Sequence, residues 1–288
     1  MSKIVTLQNG NTVCKISTKG AEILSLTVNG EEKTWQGAEG FWAGKAPILF
    51  PVCGRLLGGY YTYEGARYDV KTNGFFRAME TEVVNEERTT ATFLLESNEE
   101  TLKIYPFEFK FRVMYKLREN SLGIYFFVEN HSDKTMYYSV GCHEGYALKG
   151  DLSEYYIAFE KDENSIDRTV LDDNFTTAKK EVVSLCGNRL KLTDYFKMEN
   201  YGDSMVIAPI KSKRVTLMRG DEEELSVYYK DFESLVLWTQ VGANFICIEP
   251  WNGLPDTLDT DHSIESKVAV QKLQPKSSIT LYHNITII

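Results

Sequence analysis

The side chains best suited to proton-transfer chemistry in this sequence are a glutamate and a histidine, Glu249 and His143. Glu249 directly follows an apolar run at residues 245–248, which predicts a buried strand that ends at the carboxylate, and Pro250 favours an extended backbone there. Burying a charge costs several kcal/mol unless the charge has a partner. Glu249 is therefore either a group that carries out chemistry or one half of a structural ion pair.

His143 lies between Gly141 and Gly145, and glycines on both sides let a backbone bend and leave room for a ligand. Histidine is also the side chain that most readily exchanges a proton near neutral pH. The alternative is a structural histidine that pairs with the neighbouring loop. The sequence predicts structural roles for the other histidines, which lie in a polar turn, an acidic loop and an apolar strand face: His131, His262 and His283.

Two arginines follow segments that contain glycine, and they predict recognition of an anion or of hydroxyl groups. Arg55 comes after Gly54 in an apolar segment with two prolines, and Arg77 ends the segment 73–77. The five N–H donors of arginine suit sugar hydroxyls, carboxylates and phosphates. The alternative for each is an ion pair with one of the 41 acidic residues. A further cluster lacks the spacing of a calcium-binding loop and predicts a solvated loop: Asp256, Asp259 and Asp261.

The elements that position these residues are predicted to be strands, because apolar and polar residues alternate along much of the chain. Residues 107–117 and 122–128 alternate on either side of a turn and predict a long hairpin. The best helical candidate, residues 193–199, is short. We therefore expect an all-β fold, a large antiparallel sandwich of two extensive sheets. No linker or repeat divides the chain, which favours one domain over residues 1–288.

Composition argues against several classes of function. The formal net charge of −9 repels phosphate backbones, so no nucleic-acid partner is expected. No apolar run long enough for a membrane span and no signal-peptide pattern is visible, which predicts a cytoplasmic protein. The 5 cysteines are widely spaced without a Cys-x-x-Cys pair and predict reduced, buried thiols. Hydrolase, nucleotide and zincin motifs are missing. Arg, His and Glu at loop-like breaks, near Trp42 and Trp251, suit a carbohydrate site.

Four stretches make the sequence resemble the aldose 1-epimerase (galactose mutarotase) superfamily, and especially its bacterial LacX-like branch. They occur in family order at family-like separations, and the likeness extends over nearly the whole chain: Phe41-Trp42 through residues 46–55, residues 73–77, residues 138–143 and residues 247–256. The resemblance implies a β-supersandwich with a sugar cleft on one sheet. It also implies interconversion of the α and β anomers of a free aldose, such as glucose or galactose, without a cofactor or a metal.

The resemblance also implies roles for individual residues. By position, Glu249 resembles the general base that takes the proton of the C1 hydroxyl, and His143 resembles the general acid that protonates the ring oxygen. The implied substrate-binding residues are Arg55, Asn73, Arg77 and Asp203. The implied partner is a small sugar, and we expect a monomer or a homodimer.

Two departures from the family pattern leave alternatives open. Asn73 stands where the family usually has histidine, and an amide donates a hydrogen bond but transfers no proton. A slow mutarotase or a non-catalytic sugar-binding protein is therefore an alternative. Glu144 stands where the family usually has proline and adds a charge near the site, which disfavours phosphorylated sugars. Arg55 and Arg77 together favour them, so a hexose-6-phosphate mutarotase is a further alternative.

Overall fold

The structure, a computed structural model, describes residues 2–162, 164–197, 204–240 and 242–288. Within these ranges the alternating segments form 25 strands. In chain order the strands are β1 Ile4–Asn9, β2 Thr12–Ser17, β3 Ile23–Val28, β4 Glu31–Glu32, β5 Ile48–Leu49, β6 Tyr60–Tyr63, β7 Ala66–Asp69, β8 Glu82–Glu86, β9 Thr90–Glu96, β10 Phe109–Leu117, β11 Ser121–Asn130, β12 Met136–Tyr138, β13 Val140–Cys142, β14 Gly145–Ala147, β15 Tyr155–Phe159, β16 Ser165–Asp172, β17 Phe175–Ser184, β18 Arg189–Lys191, β19 Met205–Ile207, β20 Arg214–Arg219, β21 Glu222–Tyr228, β22 Ser234–Trp238, β23 Phe245–Asn252, β24 Gln271–Leu273 and β25 Ser278–Ile287.

Helices in the described part of the chain are single turns: α1 Glu99–Leu102, α2 Leu192–Tyr195, and the 3-10 turns Leu57–Gly59, Phe76–Ala78 and Leu152–Glu154. The helix predicted over residues 193–199 is thus shorter and begins one residue earlier, at Leu192. Residues 198 and 199 of that prediction lie outside the described residues. Within the described ranges, no helix combines the length and the apolar character needed to cross a membrane.

Two large antiparallel sheets make up most of the fold. The back sheet has nine strands in the order β18-β15-β20-β21-β25-β11-β10-β9-β8. The front sheet has eight, in the order β17-β16-β19-β22-β23-β13-β5, with β14 pairing β23 beside β13. A four-stranded sheet, β1-β2-β3-β4, and the two-stranded pairs β6-β7 and β12-β24 complete the architecture. The predicted long hairpin is confirmed as β10 and β11, which pair from Phe109 with Asn130 to Leu117 with Leu122.

The main core lies between the two large sheets and follows from the alternation of each strand. Phe111 and Val113 of β10 belong to the same apolar cluster as Ile246 and Ile248 of β23. Each fully buried side chain of this size contributes about 1.5–3 kcal/mol of transfer free energy. Because successive side chains of a strand face opposite sides, the alternate residues of β23 face the outer side of the front sheet. The predicted all-β antiparallel supersandwich is confirmed.

Candidate active site

Strand β23 carries Glu249 in its interior. The prediction that the strand ends at Glu249 is wrong, because β23 continues through Pro250 to Asn252. The N–H of Ile248 donates to the carbonyl of Glu144. Successive N–H groups of a strand point to opposite edges, so the nitrogen of Pro250 also faces the β13–β14 edge. That edge is interrupted between β13 and β14, and the donor that proline lacks therefore costs no ladder hydrogen bond.

Glu249 is almost fully buried, with 1% of its side chain exposed, although it faces the outer side of the front sheet. Two small apolar clusters on that face enclose it. One contains Trp251 and Val236. The other contains Phe245 and Cys247. Burial here results from aromatic and aliphatic neighbours on adjacent strands, and it removes water from the carboxyl group.

His143 lies in the interruption between β13 and β14. Its ring stacks on Trp42 at a centroid distance of 4.7 Å and meets the edge of Trp238 at 5.7 Å. The preceding glycine, Gly141, is required by close packing, because an added Cβ would lie 2.8 Å from Trp251 Cδ1. The space predicted beside His143 is present. At Gly141, however, the side chain of Trp251 fills it and no room is left there for a ligand.

The histidine and the glutamate face each other. His143 Nδ1 lies 3.5 Å from Glu249 Oε2, and neither atom has a hydrogen-bond partner among the described residues. Burial raises the pKa of Glu249 well above its usual value, and the nearby carboxylate of Glu144 raises it further. Burial lowers the pKa of His143 to about 3, and the charge of Arg77 also lowers it. At neutral pH the imidazole is therefore neutral, and the carboxyl group has an unusually high proton affinity.

The pair lies at a cavity of about 320 Å³. The cavity brings together four of the residues singled out in the sequence, Glu249, His143, Arg55 and Asn73. Further polar side chains reach it from positions without any sequence signal. The complete lining is Gly54, Arg55, Thr72, Asn73, His143, Leu171, Asn174, Ser204, Val206, Trp238, Glu249, Trp251 and Pro255.

The residues that the sequence did not indicate come from strand ends and turns far apart in the chain. Trp238 ends β22 and lies opposite Cys247 on β23, two residues before Glu249. Asn174 lies in the turn between β16 and β17 with a positive φ of 65°, which asparagine tolerates better than most residues. Ser204 directly precedes β19. Only the pairing of distant strands brings these side chains to one cavity.

Asn73 holds the backbone that carries Arg55. Its Oδ1 accepts a hydrogen bond from Gly54 N–H at 2.7 Å, and its own N–H donates to the Gly54 carbonyl at 3.0 Å. Asn73 has a φ of 66°, in the left-handed region. The amide nitrogen of Asn73 has no partner among the described residues and remains a donor at the cavity. The guanidinium of Arg55 is exposed and likewise forms no hydrogen bond or ion pair with them.

A buried ion pair also holds the backbone next to Arg55. Asp256 and Lys267 are 2.7 Å apart, with 4% and 3% of their side chains exposed. Asp256 also accepts from Leu57 N–H at 2.9 Å, and its N–H donates to the carbonyl of Arg55 at 2.9 Å. Lys267 donates to the carbonyl of Leu254 at 2.7 Å. The prediction of a solvated acidic loop is therefore wrong for Asp256, which has a structural partner that the sequence did not reveal.

Two of the predicted substrate-binding residues are not part of the described cavity lining. Arg77 is exposed on the 3-10 turn Phe76–Ala78. It affects the site because its positive charge lowers the pKa of His143. Asp203 lies outside the described residues. Its role stays a prediction.

Glu144 points away from the cavity. Its Oε1 lies 3.2 Å from Nε2 of His283 on β25, and both side chains are buried between the two sheets. The charge that the sequence predicted near the site therefore lies behind it, in contact with a histidine of the back sheet. The prediction that His283 is a buried structural residue is confirmed.

The remaining histidines and the cysteines match their structural predictions, with one exception. His131 Nε2 lies 2.9 Å from Glu129, and His262 stacks on Tyr60 at 4.3 Å. All five cysteines are free thiols, but Cys186 is exposed, so its predicted burial is wrong. The buried thiols are Cys14, Cys53, Cys142 and Cys247.

Comparison with known proteins now identifies the family. The profile of the family described as aldose 1-epimerase matches residues 3–271. The chain belongs to the aldose 1-epimerase family. This confirms the resemblance stated from the four sequence stretches.

Individual proteins also match over nearly their whole length. Protein LacX of Lactococcus lactis subsp. lactis, in its plasmid and chromosomal forms, is 29% identical over 298 residues, covering 99% of this chain and 99% of LacX. A galactose mutarotase related enzyme from Lactobacillus acidophilus superposes with a TM-score of 0.92 at 31% identity, covering 99% of this chain and 97% of that protein. A galactose mutarotase-like protein from Lactobacillus casei gives a TM-score of 0.89 at 26% identity, covering 99% and 100%.

Proposed function

We propose that this protein is an aldose 1-epimerase that interconverts the α and β anomers of a free aldose. The observation that carries the proposal is the 3.5 Å separation of His143 Nδ1 and Glu249 Oε2, both unpaired among the described residues, at an open cavity. Anomer interconversion requires a proton to leave the C1 hydroxyl and a proton to reach the ring oxygen. Both oxygens are bonded to C1, so the base and the acid must lie within a few ångströms of each other.

The proposed reaction transfers protons while one C–O bond breaks and re-forms, and its proton count balances. Glu249 takes the proton of the C1 hydroxyl, His143 gives a proton to the ring oxygen, and the bond from C1 to the ring oxygen breaks. The open-chain aldehyde then rotates about the C1–C2 bond. In ring closure Glu249 returns its proton to the carbonyl oxygen and His143 recovers a proton from the attacking hydroxyl. The pair holds one proton in total throughout, and no cofactor is needed for these steps.

The electrostatics of the pair indicate where that proton rests. Burial disfavours the charged forms of both groups, so the free protein holds the proton on Glu249 and leaves His143 neutral. This is also the protonation state that accompanies the ring-opened sugar in the proposed sequence. For Glu249 to act as the base, the proton must first pass to His143 over the short distance between them.

The other cavity residues are assigned to substrate binding. Arg55 and the free amide nitrogen of Asn73 are donors for sugar oxygens, and Asn174 and Ser204 supply further polar groups. Trp238 and Trp251 offer aromatic surface to the sugar ring. A cavity of about 320 Å³ falls in the range of small-molecule sites. Its open mouth leaves room for the rotation about C1–C2. We keep Asp203 as a proposed substrate-binding residue.

Two alternatives each have one observation in their favour. An unpaired Arg55 at the cavity favours a sugar phosphate, but Arg77 does not join it in the described lining, so the paired arginines expected for a phosphate are not assembled. Asn73 in place of a histidine favours a sugar-binding protein without turnover. The intact pair of Glu249 and His143 makes free-aldose mutarotation the better-supported function. The L. acidophilus protein described as a galactose mutarotase related enzyme is consistent with it.

The test is the rate of anomer equilibration of freshly dissolved α-glucose, α-galactose and glucose 6-phosphate, followed by polarimetry or proton NMR. We expect acceleration over buffer for a free aldose. Acceleration for glucose 6-phosphate alone would select the sugar-phosphate alternative. Sugar binding in NMR titrations without any acceleration would select the binding protein and refute the enzyme.

A further inference from the structure

The proton-transfer pair has a third neighbour with the chemistry of a metal ligand. Cys247 lies two residues before Glu249 on β23, so both side chains face the outer side of the front sheet. One ligand atom each from His143, Cys247 and Glu249 lie within 4.8 Å of one another. Imidazole nitrogen, thiolate sulfur and carboxylate oxygen together form a donor set that zinc prefers.

The separations are close to those of a tetrahedral zinc site. Bonds of about 2.0–2.3 Å from zinc to such donors place neighbouring ligand atoms about 3.3–3.6 Å apart. His143 Nδ1 and Glu249 Oε2 already lie 3.5 Å apart. Both atoms are also buried without a hydrogen-bond partner among the described residues. Two of the three donor atoms are therefore unpaired and at a suitable separation, and bringing the Cys247 sulfur to the same separation requires a movement of at most about 1 Å.

The cavity supplies the open coordination position and the entry path, because His143 and Glu249 both line it. A second donor group contrasts with this one: Cys142, Glu144 and His283 are all buried, and none of them lines the cavity. Near the first group, the carboxylate of Glu144 adds negative potential that attracts a dication, while the charge of Arg77 opposes it.

We propose that His143, Cys247 and Glu249 bind a thiophilic divalent cation such as Zn²⁺, with the fourth position open to the cavity, and that this binding blocks the proton-transfer pair. Metal binding releases the Cys247 thiol proton, and the Glu249 proton where present, to solvent. The metal then occupies the nitrogen and the oxygen that the reaction requires. Binding follows from the geometry alone, whereas inhibition rests on the proposed mutarotase function.

The test uses the full chain, freed of metal and kept reduced, with Co²⁺ as the spectroscopic probe. We expect a near-ultraviolet thiolate-to-cobalt charge-transfer band that Zn²⁺ removes by displacement. Cys247→Ala should abolish the band. Cys53→Ala, a matched control at another buried thiol outside the donor set, should retain it. Absence of the band in the wild-type protein, or its persistence in Cys247→Ala, would overturn the proposal.

A second measurement tests inhibition separately. In an active preparation, Zn²⁺ should inhibit the wild-type protein and Cys53→Ala competitively with the sugar. Cys247→Ala should require at least about tenfold more Zn²⁺ for the same fractional inhibition of its own activity. Equal sensitivity of the two variants would overturn the blocking role. A cobalt band in a protein that equilibrates no sugar would instead refute the proposed function and leave the metal site standing.

Discussion

Two of the buried ionisable pairs in the described part of the chain, Asp256 with Lys267 and His143 with Glu249, differ in how completely their polar atoms are satisfied. Asp256 and Lys267 pair at 2.7 Å and use their other polar atoms on backbone groups. His143 and Glu249 approach only to 3.5 Å and leave atoms unpaired among the described residues. Burial without a partner is costly. The first pair therefore stabilises a loop, whereas the second leaves the atoms that we propose to transfer protons free at the expense of stability.

The largest expected effect comes from Glu249→Gln. The amide keeps the shape but takes no proton, so we expect the rate of sugar equilibration to fall about 10²–10⁴-fold. Glu87→Gln, at an exposed site, is the control and should leave the rate unchanged. A Glu249→Gln variant with the wild-type rate would remove Glu249 from the mechanism.

The same variant should be more stable than the wild-type protein at neutral and alkaline pH. Folding raises the pKa of Glu249, so the carboxyl group favours the folded state only while it is protonated. Stability is therefore lost as pH rises from the usual range of glutamate through the raised pKa. The amide of the variant does not ionise. Its melting temperature should therefore exceed that of the wild-type protein by an amount that grows as pH rises. If the melting temperatures of the two proteins change with pH in parallel, the ionisation of buried Glu249 does not destabilise the fold as we infer.

Breaking the ion pair of Asp256 and Lys267 should lower the free energy of unfolding. Lys267→Met leaves Asp256 as an unpaired buried charge, and we expect a loss of about 3–5 kcal/mol of unfolding free energy in urea denaturation. Lys103→Met, at an exposed lysine, provides the matched control. Adding Asp256→Asn to Lys267→Met should cost less than the two single changes summed, because they share one interaction. Additive costs would show that the two residues act independently.

Asn73 can be tested for its two separate roles. Asn73→Ala leaves Gly54 N–H without its acceptor and should cost about 1–3 kcal/mol of stability. Asn73→Asp keeps an acceptor and tolerates the left-handed backbone, but it has no amide donor for the sugar. We expect Asn73→Asp to retain most of the stability while the KM for the sugar rises about 2–10-fold. An unchanged KM would show that the amide nitrogen does not contact substrate.

The smallest expected effects concern pH. The proposed mechanism requires one proton on the pair of His143 and Glu249, so activity should fall below the His143 pKa of about 3 and again above the raised pKa of Glu249. Glu144→Gln removes a charge that raises the Glu249 pKa, so the alkaline limb of kcat/KM should move to lower pH. Arg77→Gln removes a charge that lowers the His143 pKa, so the acid limb should move to higher pH. Shifts of about one unit or less are expected. Movement in the opposite direction would contradict these assignments.

The sequence alone supported the fold class and four residues that line the cavity. Alternation in the β10–β11 hairpin decides which side chains are buried, because a strand has a fixed period of two. The four stretches that resemble the family contain Glu249, His143, Arg55 and Asn73, and all four line one cavity. Such local patterns are readable because each depends on neighbouring residues in the chain.

Only the tertiary structure decided how each ionisable side chain is used. The sequence predicted that Asp256 lies in a solvated loop, but Lys267 pairs with it in the interior. It predicted the charge of Glu144 near the site, but His283, from a distant strand, contacts it between the sheets. The interruption between β13 and β14 places His143 opposite Glu249 although 105 residues of sequence lie between them. Burial, proton affinity and partnership depend on the sum of nearby charges and on excluded water, and these arise only when distant strands meet.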